Sequence, residues 1–218
     1  MKRIAIIAPH FQEYSVNLAN AVARRASALL LLDRKRLSSE FANRPMPVAE
    51  TLEIRDTPLR SLLEIASILF CLARFRPDVI HIQEPSGFIR ALICACVVAC
   101  FRPFCQIVLT VHDPKPHSGR DLAIAERIAP FRNFIRRWAQ VVLVHGESCR
   151  QDYLSLHDHP DQTILLTTHG VILRDAPPAA PDENGDCVVL CFGRMEHYKG
   201  LGVLGEAIAR LKDLGAST

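Results

Sequence analysis

Short continuous runs of Val, Ile and Leu alternate along the chain with longer stretches whose apolar residues recur every three or four positions. "RIAIIA" (3–8) is followed by a helical stretch from Ser15 to Arg25 and then by "ALLLLD" (28–33). A proline-containing loop, Phe41 to Pro58, leads into "LRSLLEIASILFCLARF" (59–75), where leucines and isoleucines fall at i, i+3, i+4 spacing. The series continues with "DVIHIQ" (78–83), a helix over Phe88–Phe101, and "QIVLTVH" (106–112). A long basic helix, broken or kinked near Pro130, precedes "VVLVHG" (141–146); a short helix from Glu147–Ser148 and "TILLTTHG" (163–170) close it. Strands that are apolar throughout are buried on both faces, and the intervening helices supply the cover. The pattern predicts an α/β fold built on a doubly wound parallel sheet.

One segment breaks the alternation. "RDAPPAAPDENGD" (174–186) is proline, alanine and acid without periodicity, the composition of an interdomain linker. The expected organisation is a first domain over 1–172, a linker over 173–186, and a remainder over 187–218. That remainder holds one strand, "CVVLCF" (187–192), and one helix with Leu201, Leu204, Ala207, Ile208 and Leu211 on one face.

Composition narrows the setting. With 218 residues, 49% of them hydrophobic, the chain has material for a substantial core. A net charge of +3 is too small to argue for a nucleic-acid partner. Of the eight cysteines, six (Cys71, Cys94, Cys96, Cys100, Cys187, Cys191) lie inside apolar runs, where a reduced thiol behaves as a small hydrophobe. The Met1-Lys2-Arg3 start leads straight into a strand-like run, with no apolar leader, and a cytoplasmic, reducing compartment is expected. The most apolar stretch, "FIRALICACVVACF" (88–101), is shorter than the ~20 residues of a membrane span and predicts a buried or interfacial helix.

Ligands of doubly wound sheets bind beyond the carboxyl ends of the strands. The polar residues there are Pro9-His10, Gln83-Glu84, His112-Asp113, His145-Gly146-Glu147, His169-Gly170 and Gly193-Arg194. Any one histidine at such an end is ordinarily a loop imidazole bonded to backbone. Four of them (His10, His112, His145, His169) predict a polar cleft along one edge of the sheet. His81 lies within a strand and reads as a satisfied core residue. The turn after the first strand, "PHFQEYSVNLA", has no glycine, which argues against a nicotinamide cofactor there. Three groupings resemble metal clusters: Cys94, Cys96 and Cys100; His112, Asp113 and His117; and His157, Asp158 and His159. The first fits helix packing better than ligation, because Cys94 points away from the other two, and the others sit on surface turns; no metal is expected. In "GRMEHYKG", Gly193 permits close backbone approach, and Arg194 and Lys199 are cations suited to two phosphates. A solvated turn fits the same spacing equally well.

"FGRMEHYKGLGVLGEAI" resembles the stretch opening the second domain of retaining GT-B glycosyltransferases of family 4. "RPDVIHIQEP", "IVLTVHD" and "LLTTHGV" resemble, in the same order, that family's strands of the first domain and its closing strand. The resemblance implies a GT-B fold, with a Rossmann-like first domain. It also implies transfer of a sugar from a nucleotide-sugar donor to a hydroxyl acceptor, with retention at the anomeric carbon and no essential metal or cofactor. Arg194 and Lys199 would bind the donor diphosphate, His112 would sit over the donor sugar, and Asp113 would shape its loop. His10 and Glu84 would line the cleft on the acceptor side, and Gly193 would let the backbone approach the donor.

Two departures from the family pattern follow. The usual Gly-rich turn after the first strand is here "HFQEYS", and the glutamates of the donor half do not occur before Thr218. The expectation is an acceptor-side domain plus the first strand and helix of a nucleotide-sugar-binding domain, inactive in this short form. Surface polysaccharide or glycolipid biosynthesis is the expected setting, with a carbohydrate or lipid-linked acceptor. For the basic helix "FRNFIRRW", docking on an anionic membrane at its inner face and solvated arginines around a core tryptophan fit alike. The alternatives to a transferase are a non-catalytic binding or regulatory module and a GT-B sugar-nucleotide epimerase.

Overall fold

The computed structural model describes residues 1–33, 48–57, 59, 61–116, 120–157, 159–169 and 200–214. Seven strands form one sheet: β1 (Arg3–Ala8), β2 (Ser27–Leu32), β3 (Leu52–Asp56), β4 (Val79–Gln83), β5 (Gln106–Val111), β6 (Val141–His145) and β7 (Thr163–Thr167). Their order is β3-β2-β1-β4-β5-β6-β7, and every pairing is parallel. The helices are α1 (Gln12–Ala23), α2 (Ile65–Phe75), α3 (Phe88–Phe101), α4 (Arg120–Trp138), α5 (Glu147–Leu156) and α6 (Leu201–Asp213). This is the doubly wound, Rossmann-like α/β sheet expected from the pattern, with its direction of winding reversing between β1 and β4.

The apolar runs explain why the sheet is buried on both faces. Ala5, Ile7, Leu29, Leu31, Ile80 and Ile82 join one core cluster, whereas Ile6, Ala8, Leu30 and Leu32 join another on the opposite face. Alternate residues of β1 and β2 thus feed two cores, which is why their buried runs are apolar, whereas β4 places His81 between Ile80 and Ile82. Helix α3, the most apolar stretch, buries Ile93, Cys94, Ala95, Val97 and Val98 in the first core. No helix among the described residues is long and apolar enough to cross a membrane.

Three expectations change. The Phe41–Pro58 loop contains edge strand β3, whose "LEIRD" carries only two apolar residues and so lacked the signature of the inner strands. Helix α4 is not broken at Pro130 but runs through it as one element. Helix α1 starts at Gln12, three residues before Ser15, because the Ser15 hydroxyl donates back to the Phe11 carbonyl at 2.8 Å and caps nothing. The chain divides into two compact units, Met1–Ile172 and Leu173–Thr218.

Candidate active site

In a parallel sheet the carboxyl ends of adjacent strands align, so residues just past those ends become lateral neighbours ~4.8 Å apart. Val111 of β5 pairs with Val144 of β6, which places His112 beside His145, and His145 pairs with Thr167 of β7, two residues before His169. The ring centroids of His112 and His145 are 5.0 Å apart, and those of His145 and His169 are 4.9 Å apart. The third side, His112 to His169, is 5.9 Å, so the three imidazoles form a triangle rather than a row. His10, after β1, lies 6.4 Å from His112. The four strand-end histidines are therefore brought to one edge.

Two aromatic residues that the sequence reading did not single out complete this edge. The Tyr14 ring lies 5.5 Å from His112, 5.8 Å from His145 and 5.3 Å from His169. Phe11 packs 4.2 Å from His10 and 4.3 Å from His112. Phe11 caps α1 in the left-handed region, at φ 55 and ψ 52, a conformation costly for a bulky side chain. The only available signal was its place directly after a strand-end histidine.

Hydrogen bonds fix the state of the central imidazoles. His112 Nε2 donates to Gln83 Oε1 at 3.0 Å, which leaves Nδ1 with its lone pair. Burial, with the neighbouring His145 and His169, lowers the His112 pKa to about 4, so the ring is neutral at physiological pH. The His145 pKa is also lowered, chiefly by burial and then by His169, against a hydrogen bond to Thr167. His81 is buried and shares a 2.7 Å hydrogen bond with Thr110 Oγ1, the satisfied core histidine expected.

Glu84 is placed at the same edge, with its carboxylate turned into the protein. Arg136 Nε donates to Oε1 at 2.5 Å and Arg136 Nη2 to Oε2 at 2.9 Å, while Arg132 Nη2 also donates to Oε2. Burial alone would push the carboxyl up, but Arg136 and Arg132 outweigh it and hold it below the usual range. The same arginines reach the carbonyls of Asp113 and Pro114, each at 3.4 Å, and so brace the loop that carries His112. Asp113 itself is exposed. The expectation of solvated arginines around a core tryptophan changes here: Arg132 and Arg136 point inward, because α4 packs over Glu84, and Trp138 is at the surface with the Arg102 guanidinium 3.2 Å above its ring.

The remaining groupings separate from the site. Cys94 is buried, and burial pushes its thiol up to about 12, while Cys100 on the same helix is exposed. His157 Nε2 accepts from Arg136 at 2.8 Å. Gly193, Arg194 and Lys199 lie outside the described residues, as do His117 and Asp158.

Residues 12–174 match the model of Glycosyltransferase Family 4. The chain belongs to Glycosyltransferase Family 4, and general glycosyl transfer is the activity of that class. No curated protein matches it. Among solved structures, an α-glucosyltransferase in complex with UDP and a 13-mer DNA is similar at 13% identity and TM-score 0.46, over 75% of this chain and 42% of that one. The Bordetella bronchiseptica enzyme WbmH in complex with NAD+ is similar at 12% identity and TM-score 0.46, over 66% of this chain and 55% of that one. A short chain dehydrogenase/reductase family oxidoreductase of Aeromonas hydrophila is similar at 8% identity and TM-score 0.44, over 78% of this chain and 99% of that one. At these scores the solved structures do not bear on the chemistry. The chain spans about half the length of the first of them and less than half of the glucosyltransferase.

Proposed function

We propose that the chain supplies the acceptor-side half of a retaining glycosyltransferase that moves a sugar from a nucleotide-sugar donor to a hydroxyl acceptor. The family match over 12–174 carries this reading. The neutral, oriented His112 at the carboxyl edge of β5 supports it, since an uncharged imidazole can face a donor sugar and hydrogen-bond its hydroxyls. Arg194 and Lys199 hold the donor diphosphate, with Gly193 admitting it close to the backbone. Negative charge on that leaving group grows during transfer, so fixed cations stabilise the transition state more than the bound donor. His10 and Asp113 face the substrates, and Glu84 acts through the arginines that brace the His112 loop. No metal or cofactor takes part in the transfer. The acceptor is a carbohydrate or lipid-linked sugar of a surface polysaccharide or glycolipid, met at the inner face of the cell membrane.

The test is transfer of labelled sugar from a panel of nucleotide sugars, by the chain alone and by the chain joined to the nucleotide-binding half of a family enzyme. The joined form is expected to give product with the donor's anomeric configuration, and the chain alone to give none. In the joined form, Arg194→Ala, Lys199→Ala and His112→Ala should lower kcat strongly with smaller changes in donor affinity. Inverted product would overturn retention, and near-normal rates in all three variants would overturn the site. A folded, joined protein that transfers nothing would favour the binding-module alternative.

A further inference from the structure

His112, His145 and His169 do more than line a cleft. One ligand-competent nitrogen from each lies within 4.8 Å of the other two, the only such trio of His, Cys, Asp or Glu among the described residues. We infer that these three imidazoles form a binding site for a divalent cation of the zinc class. Three histidines with an open fourth position are a donor set that zinc takes in tetrahedral geometry.

The hydrogen bonds that the rings already make decide which of their nitrogens can bind a metal. A metal needs the lone pair of a neutral imidazole, and the partner of the other nitrogen decides where that lone pair points. Gln83 Oε1 can only accept, so the His112 proton is on Nε2 and the lone pair on Nδ1. Thr167 Oγ1 lies 3.5 Å from the Val144 carbonyl, toward which its hydroxyl proton is directed, and 3.1 Å from His145 Nδ1, from which it accepts. His145 Nε2 therefore carries a lone pair, and that atom is buried with no hydrogen-bond partner among the described residues. A buried acceptor left unmatched is costly, and a bound ion removes that cost. His169 is the exposed member and closes the triangle from the solvent side. Bonds of about 2.0–2.1 Å set tetrahedral ligand nitrogens roughly 3.4 Å apart, so the trio must contract by about 1.4 Å at most. Rotation of the exposed His169 ring shortens the two sides of the triangle that it forms.

The ion is not a cofactor of transfer. It occupies the lone pair of His112, so it competes with any substrate group that the same nitrogen faces. Binding itself does not rest on the transferase reading.

The metal-free full chain is titrated with Co2+ as a visible probe and with Zn2+ by calorimetry. One ion per chain is expected, with the Co2+ d–d bands of a tetrahedral nitrogen site that Zn2+ abolishes. His145→Ala and His169→Gln should each weaken binding by at least the roughly 10–100-fold that loss of even an outer partner costs. His159→Ala should leave it unchanged. His169→Gln alters an exposed residue, so circular dichroism should confirm an intact fold for that variant. No binding at millimolar ion, thiolate charge-transfer bands, or affinity unaltered by His169→Gln in folded protein would overturn the assignment.

Discussion

Glu84 receives two guanidinium groups on one buried carboxylate, and the consequence reaches beyond its own position. Only 6% of its side chain is exposed, and Arg136 has 5%. Removing one partner from such a group strands the other charges, so Glu84→Gln should destabilise the fold by about 3–5 kcal/mol, read as a fall in the urea midpoint. Its pH signature follows from the sign of the shift. The folded carboxyl titrates below the ~4.3 of an unfolded Glu, so its contribution is complete above that pH and is lost as pH falls through the folded value. His81 acts in a higher window. Its pKa is about 4 in the fold, lowered by burial, against ~6.5 unfolded, so the unfolded chain binds the extra proton between those values. Stability from His81 is full above pH 6.5 and is lost on descending to pH 4, on the order of 3 kcal/mol. Denaturation measured from pH 7.5 to pH 3 should therefore fall in two stages. His112 and His157, also lowered to about 4, share the upper stage, so His81→Gln should reduce it by the His81 share and Glu84→Gln should reduce the lower, and a variant with the slope of the parent would refute its assignment.

At the scale of elements, two helix starts share one device. Gly87 before α3 has φ 92 and ψ 146, and Gly146 before α5 has φ 99 and ψ 156. This region belongs essentially to glycine, and each lets the chain turn from a strand end into a helix at the cleft edge. A Cβ at Gly146 meets nothing within 4 Å, so Gly146→Ala isolates the backbone cost. The expected loss is about 1–3 kcal/mol in chemical denaturation, and a neutral result would show that the turn tolerates side chains. The elements most legible in the sequence were the ones with least polar interruption. The inner strands and α3 read correctly because burial on both sides leaves mostly apolar residues. Strand β3 was missed because Glu53, Arg55 and Asp56 make it look like loop, and its pairing with β2 is decided by the sheet. The histidine edge was legible for a topological reason: parallel strands align their carboxyl ends, so four histidines at four ends had to converge. The Glu84 cluster was not, because its partners lie 48 and 52 residues away and only the folded position of α4 joins them. Nor was the metal-like triangle, which depends on ring directions set by Gln83 and Thr167.

The whole chain divides at Ile172, and the two units differ in what their sequences can bury. The first unit holds the seven-stranded sheet and both core clusters, with Ile7, Leu29, Ile80, Ile82 and Leu109 fully excluded from solvent. Within the second unit, α6 carries Val203 at 72% exposure, with Ile208 and Leu211 also exposed, and Leu214 just past it is 82% exposed. An isolated helix of this length is marginal in water, and one strand-length run offers it no sheet to cover. Stability should therefore reside in the first unit alone. The fragment 1–172 is expected to unfold cooperatively with the urea midpoint of the full chain, and 173–218 alone to show no cooperative transition. Protease should cut the proline- and acid-rich segment between Arg174 and Asp186 and leave a resistant fragment ending near 172. If deleting 173–218 lowered stability by more than about 1 kcal/mol, a quantity well resolved against the 5–15 kcal/mol of a typical domain, the second unit would have to contribute to the core of the first.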